Sequence, residues 1–145
     1  MISLRNIFKA RTKKHALGAL GERAAARYLK RHGYKIKKRG FIAADAEIDL
    51  ICETRDTVVF VEVKTRTAGD NPREARPASA VTPEKQRHIL RASRFYRTTP
   101  YRPMRQRFDI VEVYTDGGTP PRVLRICHME NAFTLDTAYR TAHRT

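Results

Sequence analysis

The sequence predicts one α/β domain, a mixed β-sheet flanked by helices in the order α-β-β-β-α-β-β. Three observations predict it. Apolar residues at helical spacing occur before the first strand run and again midway along the chain. Runs rich in Ile, Val and Phe fill the stretches between and after them. Two of these runs are separated by only Glu53-Thr54-Arg55-Asp56, a spacing that makes them a β-hairpin. Strands bordered by helices on both sides point to a mixed sheet.

The first helix is expected over Ala16 to Arg31, with Leu17, Leu20, Ala24 and Tyr28 as its apolar stripe and Gly33 as its stop. A basic strand follows over Tyr34 to Phe41. Glu47 to Cys52 and Thr57 to Lys64 are the next two strands, and the second of these is the clearest in the chain. Thr67 to Ser79, with Gly69, Asp70, Asn71, Pro72 and Pro77, reads as a loop. Thr82-Pro83 opens a second helix, Thr as cap and Pro at the first helical position. This helix should run to about Arg97 and pack through Ile89, Ala92 and Tyr96. Arg107 to Tyr114 and Arg122 to His128 are the last strands, joined at Asp116-Gly117-Gly118. The domain is expected over residues 16–135, between a basic N-terminal arm (1–15) and a flexible tail (136–145).

At 145 residues the chain can bury a real core. Its charge is far from balanced: 30 Lys and Arg against 15 Asp and Glu give a formal net charge of +15. A polyanion is the natural partner of such a surface, because neutralised phosphates release condensed counterions. An anionic membrane surface is the more distant alternative. No apolar run reaches the length of a membrane span, and the basic N-terminus lacks the continuous hydrophobic segment of a secretory signal. Cys52 and Cys127 stand alone in apolar runs, and no His or Cys cluster has zinc spacing. The expected setting is the cytoplasm, with both thiols reduced.

The hairpin carries acids where a strand should be apolar. Along Thr57 to Lys64, Val59, Val61 and Val63 share one face, and Val58, Phe60, Glu62 and Lys64 share the other. A register that keeps Ile48, Leu50, Val59, Val61 and Val63 on one face sets Glu47 or Asp49 opposite Glu62. Glu47, Asp49, Glu62 and Lys64 then gather on one face, with directly opposed side chains about 5 Å apart at Cβ. Carboxylates that close repel one another, and a hard divalent cation is the natural neutraliser. A surface salt-bridge patch around Lys64 is the plainer alternative.

Asp49 followed by Glu62-Val63-Lys64 is also the Asp…Glu-x-Lys arrangement of restriction-endonuclease-like nucleases. Asp49 and Glu62 would hold Mg²⁺ or Mn²⁺, and the Val63 carbonyl could add a ligand. The metal would polarise the scissile phosphate and acidify the attacking water. Lys64 would orient that water or stabilise charge developing on the phosphate.

More of the chain joins this pattern. Gly18 to Tyr34 (GALGERAAARYLKRHGY), Ala46 to Ile51 (AEIDLI), Val59 to Arg66 (VFVEVKTR), Ala80-Val81-Thr82 with Lys85-Gln86-Arg87, Arg107 to Val111 (RFDIV) and Asn131-Ala132-Phe133 appear in sequence order. Together they resemble the YraN-like proteins, an uncharacterised bacterial family. That family looks related to archaeal Holliday-junction resolvases and other restriction-endonuclease-like folds. The resemblance implies a restriction-endonuclease-like core. It also implies a helix glutamate completing the metal site, which falls on Glu22, and a two-fold dimer if the resolvase analogy holds. One departure stands out: the family's glycine before Glu-Ile-Asp is Ala46 here.

Basic residues group near the first strand (Lys37, Lys38, Arg39), at Arg66, and on the second helix (Lys85, Arg87, Arg91, Arg94, with Gln86 beside them). They are the expected nucleic-acid contacts, gripping phosphates without reading bases. The function expected is a magnesium-dependent endonuclease acting on DNA, branched DNA included, with DNA favoured over RNA. The alternatives are a non-catalytic nucleic-acid-binding module on a nuclease fold and an RNA-associated basic protein whose acidic hairpin is structural.

Overall fold

The computed structural model describes residues 3–67 and 81–140. Eight elements follow in order: α1 (Leu4–Arg31), β1 (Lys35–Ala43), β2 (Ala46–Glu53), β3 (Thr57–Thr67), α2 (Pro83–Ser93), β4 (Arg105–Thr115), β5 (Val123–Met129) and α3 (Leu135–Arg140). The strands form one sheet in the order β1-β2-β3-β4-β5. Only β3 and β4 are parallel, and α2 lies in the connection between them. The predicted mixed sheet is therefore the observed one, and its layout is consistent with a restriction-endonuclease-like core. The expected loop lies, beyond Thr67, outside the described residues, as does the tail beyond Arg140. Among the described residues no helix is long and apolar enough to cross a membrane.

Two cores lie on the two faces of the sheet. Against α1, Leu50, Cys52, Val59, Val61, Val63, Val111 and Val113 pack on Ala25, Ala26 and Leu29. On the other face Ile48, Ile51, Phe60, Phe108 and Ile110 pack on Ile89, Leu90 and Ala92 of α2 and on Ala138 of α3.

Three expectations need correction. Helix α1 begins at Leu4, so the segment read as an arm is helical. Ser3 caps it, its side chain accepting from Arg5 N. The α1 stripe is also rotated: Gly21, Ala25, Ala26 and Leu29 are buried, while Leu17, Leu20, Ala24 and Tyr28 are half-buried flanks. The reason is steric. A Cβ on Gly21 would lie 1.8 Å from Thr65 Oγ1, so helix and strand meet where only small residues fit. Thirdly, Ile48 packs with Phe41 on the α2 side, away from Leu50. The change of face falls on the rung between Phe41↔Ile48 and Arg39↔Leu50, where Gly40 has φ +60°.

The helix ends follow their sequence signals. Gly33 (φ +85°) closes α1: its N–H donates to Lys30 O, and Tyr34 N donates to Leu29 O. Thr82 caps α2, accepting from Lys85 N at 3.2 Å, with Pro83 in the first turn. The regular helix stops at Ser93, four residues short of the expected Arg97, although Ile89, Ala92 and Tyr96 are buried as expected. Ala46 is buried and outside the left-handed region; the positive φ values at this turn belong to Ala44 and Asp45. Alanine therefore meets no backbone penalty at this position.

Candidate active site

The β2–β3 ladder runs from Glu53↔Val58 to Leu50↔Val61. The next position in that register sets Asp49 opposite Glu62, one of the two pairings the hydrophobic pattern left open. There the ladder gives way to a side chain: Val63 N donates to Asp49 Oδ2 at 2.8 Å. This bond fixes the Asp49 carboxylate against the start of the Glu62-Val63-Lys64 triplet. Glu62 is only 5% exposed. Its Oε1 lies 3.6 Å from Lys64 Nζ and 4.0 Å from Lys85 Nζ. Its Oε2 is buried with no hydrogen-bond partner among the described residues.

Electrostatics follow from that crowding. Burial, and then the charge of Asp49, push the Glu62 carboxyl up to about 7, with Lys85 and Lys64 pulling the other way. Burial raises Asp49 too, opposed by the Val63 N–H and by Lys85. The two acids can hydrogen-bond to each other only while the pair holds a proton, so they titrate as a unit. Glu22, half-buried on α1, is raised by burial and then by Asp49 and Glu47, with Arg39 opposing. Glu22, Glu47, Asp49 and Glu62 thus form one acidic neighbourhood. Glu47 is its exposed member, two rungs from Gly40, where an added Cβ would meet Glu47 Oε1 at 3.3 Å.

Among the described residues no three His, Cys, Asp or Glu side chains close on a common point as a metal cage. Asp49 and Glu62 still suit a hard cation. The orphaned Glu62 oxygen needs a positive partner, and Mg²⁺ commonly takes only one or two carboxylates, filling its remaining positions with water and phosphate.

The basic candidates divide by their surroundings. Lys38, Arg39, Arg91 and Arg94 are exposed, whereas Lys37 is half-buried where the β1–β2 register shifts. Arg66 Nε lies 3.4 Å from the fully buried Glu112. Arg87 donates to Ala138 O at 3.0 Å and so ties α2 to α3. Gln86 donates to Val81 O at 3.0 Å, inside its own helix start. Arg66, Arg87 and Gln86 therefore carry structural contacts, which leaves Lys38, Arg39, Arg91 and Arg94 as the exposed members of the set.

Sequence reasoning missed two features. Lys85 reads there as a phosphate contact, yet it reaches Glu62. Glu112 went unremarked, although an acid among Ile110, Val111, Val113 and Tyr114 is the same signal that singled out Glu62; it pairs with Arg66 and accepts from Tyr114 Oη.

Residues 21–113 match the model of the uncharacterised protein family UPF0102. The chain belongs to the UPF0102 family. UPF0102 proteins share most of its length. One from Syntrophomonas wolfei is 41% identical over 81% of this chain and 96% of its own. One from Geobacter metallireducens is 41% identical over 83% and 93%. One from Nitratidesulfovibrio vulgaris is 39% identical over 84% and 87%. The UPF0102 match spans Glu22, Asp49, Glu62, Lys64 and Lys85, so every residue of the acidic neighbourhood lies inside it.

Proposed function

We propose that this chain is a divalent-metal-dependent endonuclease that hydrolyses phosphodiester bonds in DNA, branched DNA included. One observation carries the reading: a buried glutamate with an orphaned oxygen, paired with an aspartate on the next strand and flanked by lysines, in a protein of net charge +15. Burying such a group costs stability, and its pKa shift marks it as a candidate functional site.

Asp49 and Glu62 would hold Mg²⁺ or Mn²⁺, with the Val63 carbonyl and Glu22 or Glu47 as further candidate donors. The bound ion supplies polarisation of the phosphate and a more acidic attacking water. The Val63 N–H holds Asp49 in one orientation. Lys64, beside Glu62, would stabilise charge developing on the phosphate. Lys38, Arg39, Arg91 and Arg94 grip the flanking backbone.

The test is a cleavage assay on labelled duplex, single-stranded, flapped and four-way-junction DNA and matching RNA, with Mg²⁺, Mn²⁺ or EDTA. Cutting is expected with metal alone, and Asp49→Ala, Glu62→Ala and Lys64→Ala should each reduce it at least ~100-fold while binding persists, as expected for groups that act on the transition state. Unchanged cleavage in all three sinks the assignment. Binding of every substrate without cutting, with either metal, supports the second reading of a non-catalytic binding module. That no three His, Cys, Asp or Glu side chains among the described residues form a metal-holding group is the observation that favours that reading.

A further inference from the structure

Glu62 faces two lysines, and they differ in how they are held. Lys64 is two residues along the same strand and on the same face, so its backbone cannot leave the site. Lys85 comes from a separate element, in the first turn of α2, where the Thr82 cap fixes its backbone N–H. Its side chain, 38% exposed, crosses to Glu62 Oε1 at 4.0 Å on a flexible four-carbon stem. Two ammonium groups therefore stand against the two carboxylates of Asp49 and Glu62. A divalent cation at those carboxylates meets like charge from both lysines; both side chains are 38% exposed, and Lys85, at 4.0 Å from Glu62 Oε1 against 3.6 Å for Lys64, is the less tightly paired. Arg91 is exposed on the same helix, and Arg94 is exposed at its C-cap.

We propose that Lys85 is an exchangeable counter-ion of Glu62. In the free protein it neutralises the carboxylate and competes with metal. When nucleic acid binds, a phosphate draws the ammonium away and Glu62 becomes available. Metal and nucleic acid then bind cooperatively, each raising the affinity of the other by the same factor. Lys85 is a positioning residue in this scheme, and the scheme rests on the metal-dependent reading above.

The test is Mn²⁺ binding to the full chain, read as free Mn²⁺ by electron paramagnetic resonance, at fixed pH. Wild type, Lys85→Gln and Lys85→Arg are compared with and without a short phosphorothioate DNA duplex. Without DNA, Lys85→Gln should bind Mn²⁺ about tenfold more tightly than wild type, within the usual range for coupled sites, and Lys85→Arg should match wild type. The duplex should tighten Mn²⁺ binding to wild type by a similar factor and add little to Lys85→Gln. Equal Mn²⁺ affinity in wild type and Lys85→Gln, or equal tightening of both by the duplex, overturns the counter-ion role and leaves the metal reading standing. Absence of Mn²⁺ binding in every variant with and without DNA overturns the metal reading itself, and the counter-ion role with it.

Discussion

Glu62 and Asp109 are both buried acids, and their surroundings send them in opposite directions. Asp109 is fully buried but saturated with donors. Arg107 reaches both of its oxygens at 2.9 Å, His128 Nε2 lies at 2.8 Å and Asn131 N at 2.9 Å. Burial alone would raise its pKa, but His128, Arg107 and the Asn131 N–H outweigh burial and hold it below the usual value. Its contribution to stability is therefore complete above the unfolded value near 4 and is lost as pH falls through its lower folded value. Asp109→Ala should cost about 2–4 kcal/mol, because it removes the main partner of the half-buried Arg107 and leaves His128 and the Asn131 N–H without their acceptor. Urea unfolding at neutral pH measures this, and the loss should shrink in acid. Glu62 has the reverse sign. Its folded pKa is raised, so its charge burdens the fold as pH climbs from about 4.5 through about 7. Glu62→Gln should stabilise the metal-free protein at pH 8 by up to about 3 kcal/mol, and by almost nothing below pH 5. Thermal unfolding across that range tests the sign; a glutamine variant less stable at pH 8 than wild type contradicts it.

At the scale of elements, one contact sets where α1 lies over the sheet. Gly21 meets Thr65 so closely that a methyl group there would overlap the threonine hydroxyl. The next residue is Glu22, so this contact also places the α1 carboxylate near Asp49. Gly21→Ala should destabilise by about 1–3 kcal/mol through overpacking. Adding Thr65→Ala should recover part of that loss, since the clash is with the side-chain oxygen. Chemical denaturation of the single and double variants gives the coupling directly. Full additivity would mean that the helix settles elsewhere.

At the scale of the molecule, the charge of +15 sits around an acidic centre. If the exposed arginines of α2 grip phosphates, Arg91→Glu with Arg94→Glu should weaken nucleic-acid binding on every sequence alike. It should also lower the slope of log affinity against log salt by about 2, one for each lost phosphate contact. Fluorescence anisotropy over a salt series reads both. An unchanged slope would move the phosphate track off α2.

Much of this architecture is written locally in the sequence. The order of elements, the Thr82-Pro83 start, the Gly33 stop and the short hairpin connection are short-range signals, and each has a local physical cause. The approach of the acids was legible in part: the apolar pattern left Glu47 or Asp49 opposite Glu62, and the ladder, which reaches Leu50↔Val61, puts Asp49 next in register. Other features depend on chain segments far apart in sequence. The rotation of the α1 stripe toward Gly21 needs Thr65 on its other side. The reversal at Gly40 and Asp49, which sends Ile48 to the α2 face, needs both neighbouring strands. The approach of Lys85 to Glu62 needs the crossover that carries α2 over the sheet. Periodicity reports which side of an element is apolar; only packing between elements decides which side chains meet, and at this site those meetings set the charge balance that any bound cation or phosphate must enter.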